Sequence, residues 1–288
     1  MFRPKAAAKE YEKYMLPKNR KEVFQDVVKN NWQQFLLYGC LVLLISLPIH
    51  LSAILKDLYR AQLSAAVEGG GITAEQAVLL ASSSSNTLAL ADIVWYVLFA
   101  VGFSGLAHLI RQHAWEESVY FRYEYIKGIR QNAGSFARLG LLTGLIRFAC
   151  VWFQNMLTVN GGGAYGYLGY LPAVWAAVFL IPLAAYMMVC IPIYDVKFYQ
   201  NLKNAFLVFS KNMWKSLLAA AICGVVFVIQ MLPGFWFHIT GRLISSFAVP
   251  FVTLGWFLFA YDRLDETMNE KLYPQLVGRG ILKEGSME

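Results

Sequence analysis

Six long apolar runs, separated by segments that hold nearly all of the charged residues, dominate the amino-acid sequence. The runs cover residues 33–55, 88–110, 137–159, 168–194, 217–239 and 243–261. Each is about as long as the roughly 20 residues with which a helix crosses the hydrocarbon core of a bilayer. The run 36–47 is almost continuously apolar, whereas the strands of a membrane barrel alternate apolar and polar positions. The pattern therefore predicts an all-α integral membrane protein with six transmembrane helices.

The overall composition excludes several other classes of protein. Hydrophobic residues make up 58% of the 288 residues and charged residues only 15%, whereas a typical soluble domain has about 25% charged residues. A soluble enzyme, a nucleic-acid-binding module and a disordered tail are therefore excluded as the main identity of the chain. Residues 1–32 hold too many charges for a cleavable signal peptide, so we expect the first spanning helix to act as the insertion signal.

The net charge of +7 is explained by an unequal distribution of lysine and arginine between the two sides of the membrane. Segments 1–32, 111–136, 195–216 and 262–288 together hold 20 of these residues, and segments 56–87, 160–167 and 240–242 together hold three. Basic residues beside spanning helices are retained on the cytoplasmic side. We therefore expect six crossings of the membrane, with both termini in the cytoplasm.

Two of the expected outer segments have local signals of their own. In segment 56–87, residues 73–76 (TAEQ) have the pattern of a helix capping box. Segment 160–167 is rich in glycine and tyrosine, which favours either a ligand-binding loop or a flexible turn with interfacial tyrosines.

Three similar stretches precede the first, third and fifth apolar runs. They are residues 29–36 (KNNWQQFL), 130–137 (RQNAGSFA) and 211–218 (KNMWKSLL), and they align without gaps. We infer a single membrane domain, residues 1–288, built from three parallel two-helix repeats. The repeats cover 33–110, 111–194 and 195–261, with a basic amphipathic segment at 1–32 and a cytoplasmic tail at 262–288.

A stripe of apolar residues spaced three or four apart lies close to each of these stretches. The stripes are Phe24, Val27, Val28 and Phe35; Trp115, Val119, Ile126 and Ile129; and Phe198, Leu202, Phe206 and Phe209. They suit cytoplasmic amphipathic helices that lie in the membrane interface ahead of each repeat, and they also suit plain extensions of the spanning helices. The candidate interfacial or partner-binding residues are Trp115, Val119, Ile126, Phe198 and Phe206.

Small residues predict sites of close helix contact. Gly140 and Gly144 form a GxxxG motif in the third run, and Ala220 with Gly224 forms a weaker version in the fifth. Small residues four apart let helix backbones approach one another in lipid. We expect this packing within the monomer rather than in a dimer.

Arg147 is the most unusual residue of the apolar runs because it lies near the middle of the third one. An arginine at this depth costs about 2.5–3.5 kcal/mol on insertion scales, so it is expected to face the bundle interior or a hydrated cavity. Its role is either functional or structural, the latter through a pair with Asp92 or with helix-end carbonyls. Asp92 is offset by roughly 12 Å along the helix axis, so a direct bridge requires tilt, side-chain reach or water.

Further polar residues lie at matched depths in different runs. His50, Asp92, Gln154, Asn155 and His238 fall in the outer third of the membrane, and Gln230 lies level with Arg147. If these side chains converge, they line an outward-opening polar vestibule with one buried cation at its base. The competing interpretation is that each is an ordinary interfacial residue with its own partner.

The sequence contains no motif for catalysis or for metal or cofactor binding. The cysteines Cys40, Cys150, Cys190 and Cys223 lie in separate runs and form no CxxC pair. A Walker loop, an HExxH motif and a pair of intramembrane carboxylates are also missing. We therefore predict no catalytic residue, no metal site, no cofactor and no enzymatic activity.

Several stretches of the chain are similar to one known family. They are residues 29–48, residues 105–111 (GLAHLIR) with the acidic and aromatic connector 116–125, residues 128–132 (GIRQN) and residues 203–218. On these motifs the chain resembles the YesL-like bacterial membrane proteins, whereas segment 56–87 and the tail 261–288 depart from the family pattern. The resemblance implies an accessory or permease-like partner of sugar ABC importers, and it supplies no catalytic or binding residue.

Two hypotheses follow for the function. The first is an accessory subunit that works with ABC sugar-importer components in the lipid bilayer and binds no nucleic acid. The second is a stand-alone transporter or channel that moves a small polar solute through the vestibule. Substitution of Arg147 tests the second hypothesis, whereas loss of a partner on substitution of Trp115 or Phe206 tests the first.

Overall fold

The computed structural model describes residues 16–115, 117, 119–161, 167–232 and 234–282. Within these ranges all regular secondary structure is helical, and six helical stretches are long and apolar enough to cross a membrane. A helix satisfies its own backbone polar groups, which hydrocarbon does not. The predicted all-α class and the predicted number of spanning helices are confirmed.

We number seven helices along the described part of the chain. They are α1 Arg20–Glu68, α2 Ala74–Ala114, α3 Phe121–Gly161, α4 Leu171–Ile193, α5 Phe198–Lys211, α6 Met213–Gly224 and α7 Phe235–Leu264. Helix α4 contains a π turn at Ala176–Leu180, and α6 continues as a 3₁₀ helix over Val225–Met231. Helix α7 continues through a π turn at Asp265–Asn269 into Glu270–Leu272. All except α5 contribute to a candidate membrane span.

The expected outer segment 56–87 is helical over most of its length. Residues 56–68 continue α1, α2 begins at Ala74, and the chain turns between them, where Gly70 has a φ of 71°. Residues 56–68 are too polar for a span but are rich in good helix formers such as alanine, leucine and glutamine. The predicted capping box is confirmed, because Thr73 and Gln76 each accept a hydrogen bond from the other's backbone N–H.

The boundary between the fifth and sixth spans lies earlier in the chain than the predicted segment 240–242. The 3₁₀ helix ends at Met231, α7 begins at Phe235, and Gly234 between them has a φ of 125°. Glycine adopts a φ of this sign without steric penalty. Apolar residues continue on both sides of the turn and hide it from a hydropathy pattern. His238 consequently lies near the start of α7 instead of at the outer end of the fifth span.

The first amphipathic stripe and half of the second belong to spanning helices. Helix α1 begins at Arg20 and α3 at Phe121, and both run without a break into a membrane span. Val27 and Phe35 of the first stripe are buried in the protein core. Ile126 and Ile129 of the second stripe are in α3, whereas Trp115 and Val119 precede it. The third stripe forms a separate helix, α5, which ends at Lys211.

Helix α2 lies at the centre of the bundle. Its residues 103–110 are all buried, and it contacts α1, α3, α4 and α7. It approaches α3 most closely where Gly140 and Gly144 face it. A Cβ atom added at Gly140 would lie 2.6 Å from the carbonyl oxygen of Tyr96. The predicted GxxxG contact within the monomer is confirmed.

Helix α6 lies at the edge of the bundle. Ser216 is its only buried residue within the described range. A Cβ atom added at Gly224 would meet no atom within 4 Å. The expected close contact at Gly224 within the monomer is therefore wrong, because no neighbouring helix covers this side of α6.

The close contact between α2 and α3 predicts different effects for two glycines of the same helix. The Gly140→Ala change places a methyl group against the Tyr96 carbonyl oxygen, and overpacking of this kind costs about 1–3 kcal/mol. The Gly134→Ala change meets no atom within 4 Å and removes a poor helix former, so we expect unchanged or slightly higher stability. Thermal unfolding of the detergent-purified variants measures both effects. A Gly140→Ala protein as stable as wild type would contradict the contact.

Candidate functional site

A buried carboxylate on α2 holds two cationic side chains from neighbouring helices. Asp92 is only 1% exposed. Its Oδ2 atom lies 2.9 Å from Nζ of Lys56 on α1 and 2.6 Å from Nη1 of Arg147 on α3. The Arg147 guanidinium also lies 5.4 Å from the ring centroid of Tyr96. We call Lys56, Asp92 and Arg147 the Asp92 cluster, and it connects three spanning helices through charge-assisted hydrogen bonds.

The ion pair between Asp92 and Arg147 is direct. The ends of the apolar runs suggested an axial offset of roughly 12 Å. Helices α2 and α3 begin at Ala74 and Phe121, well before their apolar runs start at residues 88 and 137, so the run boundaries do not measure relative depth accurately. Of the roles considered for Arg147, the structure shows the ion pair with Asp92.

Lys56 is a member of the cluster that the sequence analysis missed. It follows immediately after the first apolar run and was therefore assigned to an outer segment. The continuation of α1 keeps it beside α2, where a long basic side chain reaches back into the bundle. One carboxylate thus faces two cations. The buried Ser52 hydroxyl on α1 is a further hydrogen-bonding neighbour of the Asp92 carboxylate.

A second charged cluster lies between α1 and α7. Asp57 Oδ2 lies 2.9 Å from Nδ1 of His238 and 3.6 Å from Nη2 of Arg242. Lys56 and Asp57 are adjacent in sequence and project about 100° apart around the helix. The chain therefore uses two successive residues of α1 to contact two different neighbouring helices.

The other vestibule candidates have separate partners. His50 Nε2 lies 3.3 Å from Ser246 Oγ, Asn155 donates to Asn86 Oδ1 at 2.7 Å, and Gln230 donates to Ser245 Oγ at 2.6 Å. Gln154 is half-buried on α3. The structure therefore brings Asp92 and Arg147 together and places His50 and His238 along the contact of α1 with α7. Asn155 meets Asn86 elsewhere on the same contact of α2 with α3, and Gln230 meets Ser245 of α7.

The N-terminal end of α1 is closed by contacts with the C-terminal part of the chain. Arg20 pairs with Asp262 at 3.3 Å and with Asp265 at 3.4 Å. The backbone N–H of Leu282 donates to the carbonyl oxygen of Pro17 at 2.9 Å. Both ends of the described chain therefore lie on the same side of the bundle.

Trp115, a candidate partner-binding residue, is packed beside this closure. The guanidinium carbons of Arg111 and Arg279 lie 4.7 Å and 4.8 Å from its ring centroid. Cation–π contacts of this kind hold the indole in place. Val119 and Phe198 are likewise partly buried against the core. These three side chains therefore pack partly against the protein itself, and an apolar stripe alone does not reveal whether it faces lipid or protein.

Exposed large apolar residues occur on every spanning helix, and one group of them lies along α5 and the first turns of α6. Phe206 is 59% exposed and Trp214 is 77% exposed, and Tyr199 and Leu218 are exposed beside them. We call these four residues the α5–α6 face. Ile126 on α3 is also exposed. Of the five candidate partner residues, Phe206 and Ile126 are thus accessible.

The chemistry of these clusters is that of charge pairing. Within the described ranges, no group of three or more histidine, cysteine, aspartate or glutamate side chains is placed to hold a metal ion. The acidic groups of both clusters are occupied by basic side chains from neighbouring helices. The clusters can therefore join neighbouring helices through ion pairs and fix the positions of these charged side chains.

The shared carboxylate predicts unequal effects of removing its members. The Asp92→Asn change leaves both Lys56 and Arg147 without the counter-charge they share, and breaking a buried ion pair costs about 3–5 kcal/mol. The Arg147→Met change leaves a balanced pair of Lys56 with Asp92, so we expect a smaller loss. Thermal unfolding in detergent compares the two variants. An Asp92→Asn protein at least as stable as Arg147→Met would show that Asp92 does not hold both cations.

Comparisons of the chain with protein-family models, with curated proteins and with solved structures give no match. The resemblance to the YesL-like proteins therefore stays an expectation based on the quoted motifs. A function for this protein has to be proposed from the α5–α6 face and the two charged clusters.

Proposed function

We propose that this protein is an accessory membrane subunit that binds another membrane protein through the α5–α6 face. From the YesL-like motifs, we propose that the partner is a component of a sugar ABC importer in the bacterial cytoplasmic membrane. The observation that carries the proposal is the α5–α6 face itself, which joins exposed aromatic residues to a spanning helix with little packing of its own.

Exposure to lipid alone does not make a binding surface, because lipid tails are as apolar as leucine. The composition of the α5–α6 face is what favours a protein partner. Tyr199, Phe206 and Trp214 follow one another along two consecutive helices, and aromatic residues of this kind dominate the binding energy of protein interfaces. Gly224, further along α6, has open space around it and would allow a partner helix to approach closely.

We also propose that both termini are cytoplasmic and that α1–α2, α3–α4 and α5–α7 form three parallel repeats. The excess of lysine and arginine in alternate segments supports this orientation. The contact of Arg20 with Asp262 supports the even number of spans, which returns the chain to its starting side. Tyr194, just before α5, bonds to Asn269 after α7, so the start of the α5–α6 face lies on that side too.

The accessory function predicts that the double change Phe206→Ala and Trp214→Ala reduces co-purification with the permease subunits of a sugar ABC importer. Loss of two aromatic anchors lowers recovery by roughly tenfold or more, because each such anchor contributes on the order of 1–2 kcal/mol or more. Affinity purification of the tagged protein from solubilised membranes, followed by quantitative mass spectrometry, measures the recovery.

The matched control is Trp236→Ala, which removes a tryptophan that is 74% exposed, compared with 77% for Trp214. Trp236 lies at the start of α7, on the opposite side of the bundle from α5. Its loss leaves partner recovery unchanged. Equal recovery for the double variant and wild type would reject the α5–α6 face as the docking surface.

A second candidate function is transport of a small polar solute, and the Asp92 cluster favours it. Charged residues inside a membrane domain are by default functional hypotheses. The Asp92 carboxylate and the Ser52 hydroxyl beside it are buried polar groups whose chemistry suits water or a hydroxyl-rich solute. In this function the cluster would bind the solute between α1, α2 and α3.

The transport function predicts that Arg147→Leu strongly reduces sugar uptake by cells while expression and partner recovery stay normal. Arg60→Leu removes an exposed arginine one turn beyond Lys56 and leaves uptake intact. Under the accessory function, uptake falls instead with Phe206→Ala and Trp214→Ala, and partner recovery falls in parallel. Uptake assays with labelled sugar separate the two functions.

A further inference from the structure

The Asp92 cluster holds more positive than negative charge. Its single carboxylate is shared by the Lys56 ammonium and the Arg147 guanidinium, which both contact the same oxygen atom. Within the described ranges, no second carboxylate pairs with either cation. Asp57, the acidic residue next to Lys56, pairs with side chains of α7 instead. With both basic groups protonated, the cluster therefore carries one uncompensated positive charge.

This excess charge lies among buried side chains of three spanning helices. The Lys56 side chain is 11% exposed and Asp92 is 1% exposed. A buried cation without a counter-charge is strongly destabilising, because the surroundings do not replace the hydration that it loses. An anion from outside the chain would supply the missing counter-charge.

Both cations have hydrogen-bond donors left for such an anion. Nη1 of Arg147 donates to Asp92, and this is the one hydrogen bond that the guanidinium makes to the described residues. The Arg147 side chain is 32% exposed, so its other N–H groups are accessible. The Lys56 ammonium likewise donates once, to Asp92. Because a guanidinium binds a carboxylate or a phosphate through two parallel N–H groups, the free donors favour an oxyanion.

Buried serines line the contact between the α1–α2 turn and the cluster. Ser82 and Ser85 are both buried, and their spacing from Asp92 places them on the same side of α2. Ser82 is ten residues from Asp92, which corresponds to roughly 15 Å along the helix. Ser52 lies beside the carboxylate on α1. Hydroxyl groups both donate and accept hydrogen bonds, so this strip suits a hydrated ion better than apolar side chains do.

We propose that the Asp92 cluster binds a small oxyanion, the carboxylate or phosphate group of a solute, between α1, α2 and α3. Arg147 holds the oxyanion through the N–H groups that do not contact Asp92, and Lys56 supplies the second positive charge. Asp92 keeps both cations in place. As an assignment of the transported solute, this inference rests on the transport function proposed above. The binding itself depends neither on transport nor on the α5–α6 face.

The test follows thermal unfolding of the full-length protein in neutral detergent during titration with sodium acetate or sodium phosphate. Sodium chloride keeps the ionic strength constant. At least one of the two oxyanions is expected to raise the melting temperature above its value in chloride, since a ligand of the folded state stabilises that state. The anion that does so distinguishes a carboxylate site from a phosphate site.

Two variants remove the excess charge and leave a balanced ion pair. Arg147→Met leaves Lys56 with Asp92, and Lys56→Met leaves Arg147 with Asp92. Both variants are therefore expected to fold. In each of them the apparent affinity for the oxyanion falls at least about tenfold, because a hydrogen bond between charged groups is lost. An undiminished response in both variants would show a general salt effect and overturn the proposal.

The matched control is Arg138→Met, which removes an exposed arginine of the same helix, roughly 13 Å along the axis from Arg147. It is expected to leave the oxyanion response unchanged, and an equal loss in this control would show diffuse attraction and overturn the proposal. A wild-type protein that responds to neither oxyanion would overturn it too, since the excess charge would then be relieved by loss of the Lys56 proton. Stabilisation by phosphatidylglycerol alone would assign the site to a lipid headgroup and reject a free solute.

Reconstitution into proteoliposomes separates this inference from the transport function. Oxyanion binding in detergent without uptake of the same labelled anion would reject transport and keep the binding site. Uptake of a neutral sugar without any oxyanion response would reject the binding site and keep transport.

Discussion

Hydrocarbon solvates neither backbone polar groups nor side-chain charges, and the structure meets both demands internally. Helices satisfy the backbone along all six spans. Within the bundle, Asp92 satisfies two cations at once and thereby connects α1, α2 and α3. In a water-soluble helical bundle, Lys56 and Arg147 could stay hydrated, and the ion pairs that both make with Asp92 would not be required. The central position of α2 follows from its carrying the shared carboxylate and facing the small residues of α3.

The six spans and the Gly140 contact could be predicted from the sequence because both depend on local residue type. Hydropathy reports the preferred solvent of a segment and says little about its backbone conformation. For this reason residues 56–68 were expected to leave the first helix, although they continue it. The turn at Gly234 was missed for the opposite reason, because the residues around it are as apolar as the spans.

The candidate site was predicted only in part, because depth along a helix does not define rotation about its axis. Asp92 and Arg147 meet at the contact of α2 with α3, whereas Gln230 faces Ser245 of α7. The sequence analysis did not include Lys56 in the site, because the first apolar run ends at residue 55 and Lys56 was assigned to the outer segment that follows it. The same ambiguity affected Trp115, whose stripe faces the protein and two guanidinium groups. Tertiary packing determines which of these side chains meet, and the spacing of residues along one helix does not define that packing.

The contact of Arg20 with Asp262 joins residues 242 positions apart. The ribosome delivers α1 to the membrane long before Asp262 has been translated, and domains assemble as their segments emerge. The Arg20 side chain therefore remains hydrated until the intervening helices have been inserted. The closure of this end therefore cannot form before α7 has been made. A chain that stalls before Asp262 leaves the Arg20 guanidinium without its two carboxylate partners.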